Sequence, residues 1–116
     1  MSESSGIFTF PSTGIWNIEF VANNNLDGDD RAYTARIKYT VNNSAYNPFS
    51  TSYAFLQQTS STAAYNSAYT SGIFDVTDTS NYKVSFRIDA YDSGTSTMGD
   101  SAQNVTFVTF TRLGDT

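Results

Sequence analysis

Between Tyr33 and Val41 the chain changes character at every residue. Tyr33, Ala35, Ile37, Tyr39 and Val41 alternate with Thr34, Arg36, Lys38 and Thr40. Successive side chains on a strand point to opposite faces, so this run has one face for a core and one for water. A helix would spread the same apolar residues around its circumference. The pattern returns at Tyr82, Val84, Phe86, Ile88 and Ala90, which alternate with Lys83, Ser85, Arg87 and Asp89. It appears a third time at Trp16, Ile18, Phe20 and Ala22.

Turn residues punctuate these runs. Asn23-Asn24-Asn25, Asp27-Gly28-Asp29-Asp30, Asn42-Asn43-Ser44 and Asn47-Pro48 read as turns, and Asp92 to Asp100 as a Gly/Ser/Thr loop. Tyr53 and Phe55 mark a further strand. Ala63 to Tyr69 is either a strand or an ordered loop, and Ile73, Phe74 and Val76 form a short buried strand. Val105 to Arg112 closes the chain as a strand with bulk on both faces, Val105 and Phe107 on one and Val108 and Phe110 on the other. About seven strands separated by turns point to an all-β antiparallel β-sandwich. The 8 Tyr, 9 Phe and 1 Trp suit that class, because aromatic side chains fit a pleated, half-buried surface.

The 116 residues suit one domain. Residues 1–6, MSESSG, are polar and read as an N-terminal arm, with the sandwich over residues 7–116. That arm is no signal peptide, and no apolar run reaches a membrane-spanning length. Eleven acids against six bases leave a net charge of −5. Nucleic acid and anionic membranes are therefore poor partners, since both need a basic face. With no Cys and no His there is no disulfide, no thiolate or imidazole metal site and no Ser-His-Asp triad.

The stretch Gly6 to Phe20, GIFTFPSTGIWNIEF, has a structural logic of its own. Pro11 cannot donate to a ladder and ends the strand at Ile7 to Phe10. Gly14 takes a positive φ and reverses the chain. The two flanking runs are then expected to lie as neighbouring strands, with Trp16, Ile18 and Phe20 entering the core.

The spacing Gly-x-Phe-x-x-Pro-x-x-Gly-x-aromatic-x-Ile-x-Phe, carried by Gly6, Phe8, Pro11, Gly14, Trp16, Ile18 and Phe20, resembles the opening signature of the tumour-necrosis-factor-like and complement-globular-head jelly rolls. Val105 to Phe110, ending at Leu113-Gly114, resembles the last strand of that superfamily. The run Tyr82 to Ala90, preceded by Asp78, resembles its penultimate long strand. Together these cover about half the chain. Members of the superfamily carry a further strand before the signature. Either this sandwich lacks that edge strand, or a neighbouring subunit's N-terminal segment covers the gap, because an open edge is a pairing template.

The resemblance implies a homotrimer with aromatic residues along its threefold axis, and Val108 and Phe110 as subunit-interface residues. Small Cys-free proteins of this kind resemble bacteriophage virion proteins. The implied role is a capsid decoration (cement) protein on the virion surface, assembled in the host cytoplasm, with the major capsid protein as partner. The alternative is the glycan-binding tip of a tail fibre. A tip normally ends a chain with a fibrous shaft, and this acidic chain opens at Met1, which favours the decoration reading.

Four tyrosines, Tyr46, Tyr53, Tyr65 and Tyr69, fall in the central region. Tyr serves both contact surfaces and sandwich packing, so these are candidate partner contacts or ordinary core. Asp27-Gly28-Asp29-Asp30 offers oxygens for calcium, but its spacing is not that of an EF-hand loop and a solvated turn explains it. Asp75, Asp78, Asp89, Asp92 and Asp100 could supply the carboxylate pair of a glycosidase, yet each lies by a turn or on a polar strand face. The expectation is a non-enzymatic protein with no cofactor and no metal. Sequons at Asn42 and Asn104 matter only in a eukaryotic secretory pathway.

Overall fold

The computed structural model describes all residues, 1–116. It contains no helix and nine strands: β1 (Ser2–Ser4), β2 (Ile7–Thr9), β3 (Gly14–Leu26), β4 (Asp30–Thr40), β5 (Asn47–Leu56), β6 (Ala64–Val76), β7 (Lys83–Ala90), β8 (Ser96–Thr97) and β9 (Phe107–Gly114). One sheet has the order β1-β2-β7-β4-β5. The other has β6-β3-β8, with β9 also paired to β3. Every pairing is antiparallel. The chain is an all-β sandwich.

The pairings nest. β4 pairs β5, β3 pairs β6, and β2 pairs β7. This is one long hairpin with its tip at residues 41–46, rolled so that successive pairs fall alternately in the two sheets. The inner faces meet in a core of Phe10, Trp16, Ile18, Phe20, Ala22, Tyr33, Ala35, Ile37, Leu56, Ala68, Phe74, Val76 and Val84. Aromatic rings thread through it. Phe10 touches Trp16, Phe74 and Phe110 at centroid separations of 5.4, 5.9 and 5.9 Å, the spacing at which tilted and edge-to-face pairs attract.

Period-two alternation turns Trp16, Ile18, Phe20 and Ala22 of β3 and Tyr33, Ala35 and Ile37 of β4 inward, as the sequence predicts. Val41, however, lies beyond β4 and is exposed, and Asn23 to Asn25, expected as a turn, continue β3 with Asn24 fully buried. Pro11 does end its strand, which stops at Thr9, and Gly14 has φ +145°. A Cβ there would lie 2.6 Å from the Gly114 carbonyl oxygen, so the site needs glycine for space as well as for φ. The expected pairing of the flanking runs is corrected. β2 and β3 lie in opposite sheets, and Pro11 to Thr13 is the crossover, pinned by the Trp16 indole donating to the Ser12 carbonyl at 3.3 Å.

Other expectations also shift. Residues 1–6 are not a free arm: Ser2–Ser4 folds back through Ser5 and Gly6 onto β2 and forms that sheet's edge. Asn47-Pro48 opens β5 rather than a turn. The uncertain stretch from residue 63 and the apolar run at 73–76 are one 13-residue strand, β6, in full register with β3. Ile73 points outward and is 62% exposed.

The two long sides of the sandwich differ. On one side Ser50 donates to the Ser71 carbonyl at 3.0 Å and Asn66 to the Phe55 carbonyl at 2.6 Å, stitching β5 to β6. On the other side β9 pairs only with β3, and its outer edge has no strand against it.

Candidate functional site

No cleft opens anywhere on the surface. The features able to do something are therefore faces. The outward residues of the β6-β3-β9 sheet follow from register. β6 presents Tyr65, Ser67, Tyr69, Ser71, Ile73 and Asp75 opposite Asn25, Asn23, Val21, Glu19, Asn17 and Ile15 of β3. β9 adds Phe107, Thr109 and Thr111 opposite Val21, Glu19 and Asn17. Tyr69, Val21 and Phe107 thus form an apolar row across all three strands. Tyr69 donates its hydroxyl to Glu19 at 2.9 Å, which fixes its ring across the face. This face holds two acids, Glu19 and Asp75, and no base. Tyr65 and Tyr69 remain 65% and 53% exposed.

The candidate interface pair Val108 and Phe110 is corrected on this point. They lie opposite Phe20 and Ile18, whose side chains are buried in the core. Phe110 packs within its own subunit on Phe8 and Phe86 at 5.5 and 5.9 Å. The outward bulk of β9 is Phe107. The sequence shows two bulky faces on that strand; only the register with β3 tells which is inside.

The four candidate tyrosines divide. Tyr65 and Tyr69 share the face just described. Tyr53 stands on the opposite sheet, 72% exposed, in line with Thr34 of β4. Tyr46 sits in the loop between β4 and β5, half-buried, with its hydroxyl enclosed. Gly6, Phe8, Pro11, Gly14, Trp16, Ile18 and Phe20 are structural: Trp16, Ile18 and Phe20 are 6%, 0% and 3% exposed.

The acidic turn is a brace. Asp29 accepts from the Gln58 amide at 2.6 Å and Asp27 from the Gln58 side chain, tying the β3–β4 turn to the loop after β5. Asp30 is fully buried and accepts from the Ala32 amide at 3.2 Å and the Thr95 hydroxyl at 2.5 Å. No three acidic side chains converge. Asp78 accepts from the Ser80 amide at 2.8 Å and from the Asn81 side chain at 2.7 Å, and these bonds hold its carboxyl below the usual carboxylate range. Asp100 is lowered likewise by the Ala102 amide and the Gln103 side chain. Asp92 accepts from the Gly94 amide at 2.7 Å, and Asp89 is bound to two arginines. These carboxylates hold turns and strands in place.

No protein-family model matches the chain, and no curated protein is significantly similar to it.

Proposed function

We propose that the protein is a non-enzymatic virion component, a capsid decoration protein that assembles as a homotrimer and stabilises the shell it covers. The carrying observation is the outer face of β6-β3-β9. Its Tyr69-Val21-Phe107 row, flanked by Tyr65 and Ile73, is a sheet face of apolar, Ser, Thr and Asn side chains with only two charges. Interface cores are depleted of charge and enriched in aromatic residues, and a second copy is the simplest partner to cover such a face. The nested rolled-hairpin order supports the jelly-roll resemblance. In a jelly roll of that order a first strand would pair with β9; here β1 pairs with β2 instead, and the outer edge of β9 is left open. Binding the assembled shell, and not free shell subunits, stabilises the shell by mass action.

The tail-fibre-tip reading draws less support. Trp16 is buried, and the exposed tyrosines are divided between opposite faces instead of meeting on one rim. Light scattering on the purified chain tests the assembly, and a mass of three times 12.7 kDa is expected. Co-sedimentation with empty capsids of the source virus tests the role. A trimer that never sediments with shells would overturn decoration. A monomer at all concentrations, on and off shells, would overturn the trimer.

A further inference from the structure

The chain is acidic overall, yet its bases are not scattered. On β4, Tyr33, Ala35 and Ile37 point inward, so Arg36 and Lys38 point outward. On β7, Val84 is buried, so Lys83, Ser85, Arg87 and Asp89 point outward. The register places Arg36 directly opposite Arg87, Lys38 opposite Ser85, and Lys83 opposite Thr40. Four of the six bases therefore crowd two adjacent strands on one sheet face, within a patch about 13 Å long and about 5 Å wide along the backbone.

Like charges directly opposite each other across strands destabilise the pair. A single carboxylate offsets this one. Asp89 lies 3.4 Å from the Arg36 guanidinium and 2.9 Å from that of Arg87. None of the molecule's three ion pairs involves Lys38 or Lys83, and Lys83 donates instead to the Thr9 hydroxyl at 3.1 Å. The two strands thus carry a surplus of positive charge, on the side of the sandwich opposite Glu19 and Asp75. Tyr53 stands beside this patch, in the same row as Thr34 and Asp89.

From this we infer that the outer face of β4 and β7 docks on a flat, carboxylate-rich protein surface. Arginine forks match carboxylates in pairs, and an Arg cluster with an exposed Tyr has the composition of protein-contact anchors. No pocket opens on this face, so a ligand would meet side chains on an open sheet surface. The patch is too short to neutralise more than a few phosphates, which does not favour nucleic acid on a chain of net charge −5. The inference rests on the decoration reading and names the surface that meets the shell: self-association uses one sheet, docking the other.

Poly-L-glutamate is the probe, added at low salt while backbone amide shifts are followed by NMR. Shifts are expected at Arg36, Lys38, Ser85 and Arg87. The double substitution Lys38→Gln/Arg87→Gln is expected to weaken binding about tenfold. Ser61→Asp/Ser101→Asp makes the chain equally more acidic at exposed loop sites, and is expected to weaken it less than about threefold by the long-range field alone. If the first pair disturbs the fold, Lys38→Gln alone serves, since Lys38 makes no ion pair. Equal weakening by both pairs, or no shifts in the unaltered protein, would overturn the docking face. So would tighter binding of oligothymidine or heparin than of poly-L-glutamate through these residues. A trimer that decorates shells but ignores poly-L-glutamate sinks this face and leaves the decoration reading intact. A poly-L-glutamate binder that does not decorate shells does the reverse.

Discussion

Gly14 and Tyr33 carry unusual constraints for single residues. Gly14 combines φ +145° with no room for a methyl group between the Gly114 carbonyl and Arg112. Gly14→Ala should therefore cost about 2 kcal/mol or more, from strain plus the displaced end of β9, read as a lower urea midpoint with an unchanged slope. Tyr33 presents the opposite case. Its ring is 1% exposed and its hydroxyl has no partner. Burial, with a smaller push from the Asp30 charge, raises its pKa from 10.0 to about 12. The folded state thus favours the neutral phenol. That contribution is complete below pH 10 and is lost as pH rises through about 12. Tyr33→Phe removes an unpaired buried hydroxyl, so it should stabilise the protein by about 1 kcal/mol at neutral pH. It should also flatten the fall in melting temperature between pH 10 and 12, and an unchanged alkaline slope would contradict the assignment.

Among the elements, β9 is the most informative. Its alternate residues face opposite sides, and substitution separates core packing from the assembly role proposed for the outer face. Phe110→Ala removes a ring packed on Phe8, Phe10 and Phe86, and should cost about 3 kcal/mol of folding stability. Phe107→Ser with Tyr69→Ser removes outward bulk from the β6-β3-β9 face. That pair should leave the melting of a dilute sample nearly unchanged while light scattering shows a smaller particle. Loss of folding in the second case, or of assembly alone in the first, would reverse the faces. β1 and β8 are the weakest elements: three and two exposed residues, each paired on one side only. β6 shows why its sequence reads ambiguously. Ser, Asn and Ala carry too little contrast for a period to appear, and β3 supplies the register that makes all 13 residues one strand.

Taken whole, the molecule is a slab of 50 × 30 × 22 Å with faces of different chemistry. The β4–β7 face is cationic, and the β6-β3-β9 face mixes an apolar row with Ser, Thr and Asn side chains and two acids. Salt should tell them apart. Raising ionic strength from about 0.02 to 0.5 M shortens the Debye length and should abolish poly-L-glutamate binding, while the oligomer mass stays constant because apolar burial is not screened. The all-β class, the inward residues Trp16 to Ala22, Tyr33 to Ile37 and Val84 to Ile88, and the break at Pro11 with the reversal at Gly14 are legible in the chain alone. Those follow from period-two alternation and from the covalent limits of Pro and Gly, which are local. Strand pairing puts β2 and β3 in opposite sheets, turns Phe110 inward and Phe107 outward, and gathers four bases distant in sequence into one patch. Face and charge proximity depend on which strand pairs with which, and in what register. Hydrogen-bonded ladders between residues far apart in the chain set both, and neither composition nor spacing carries that information.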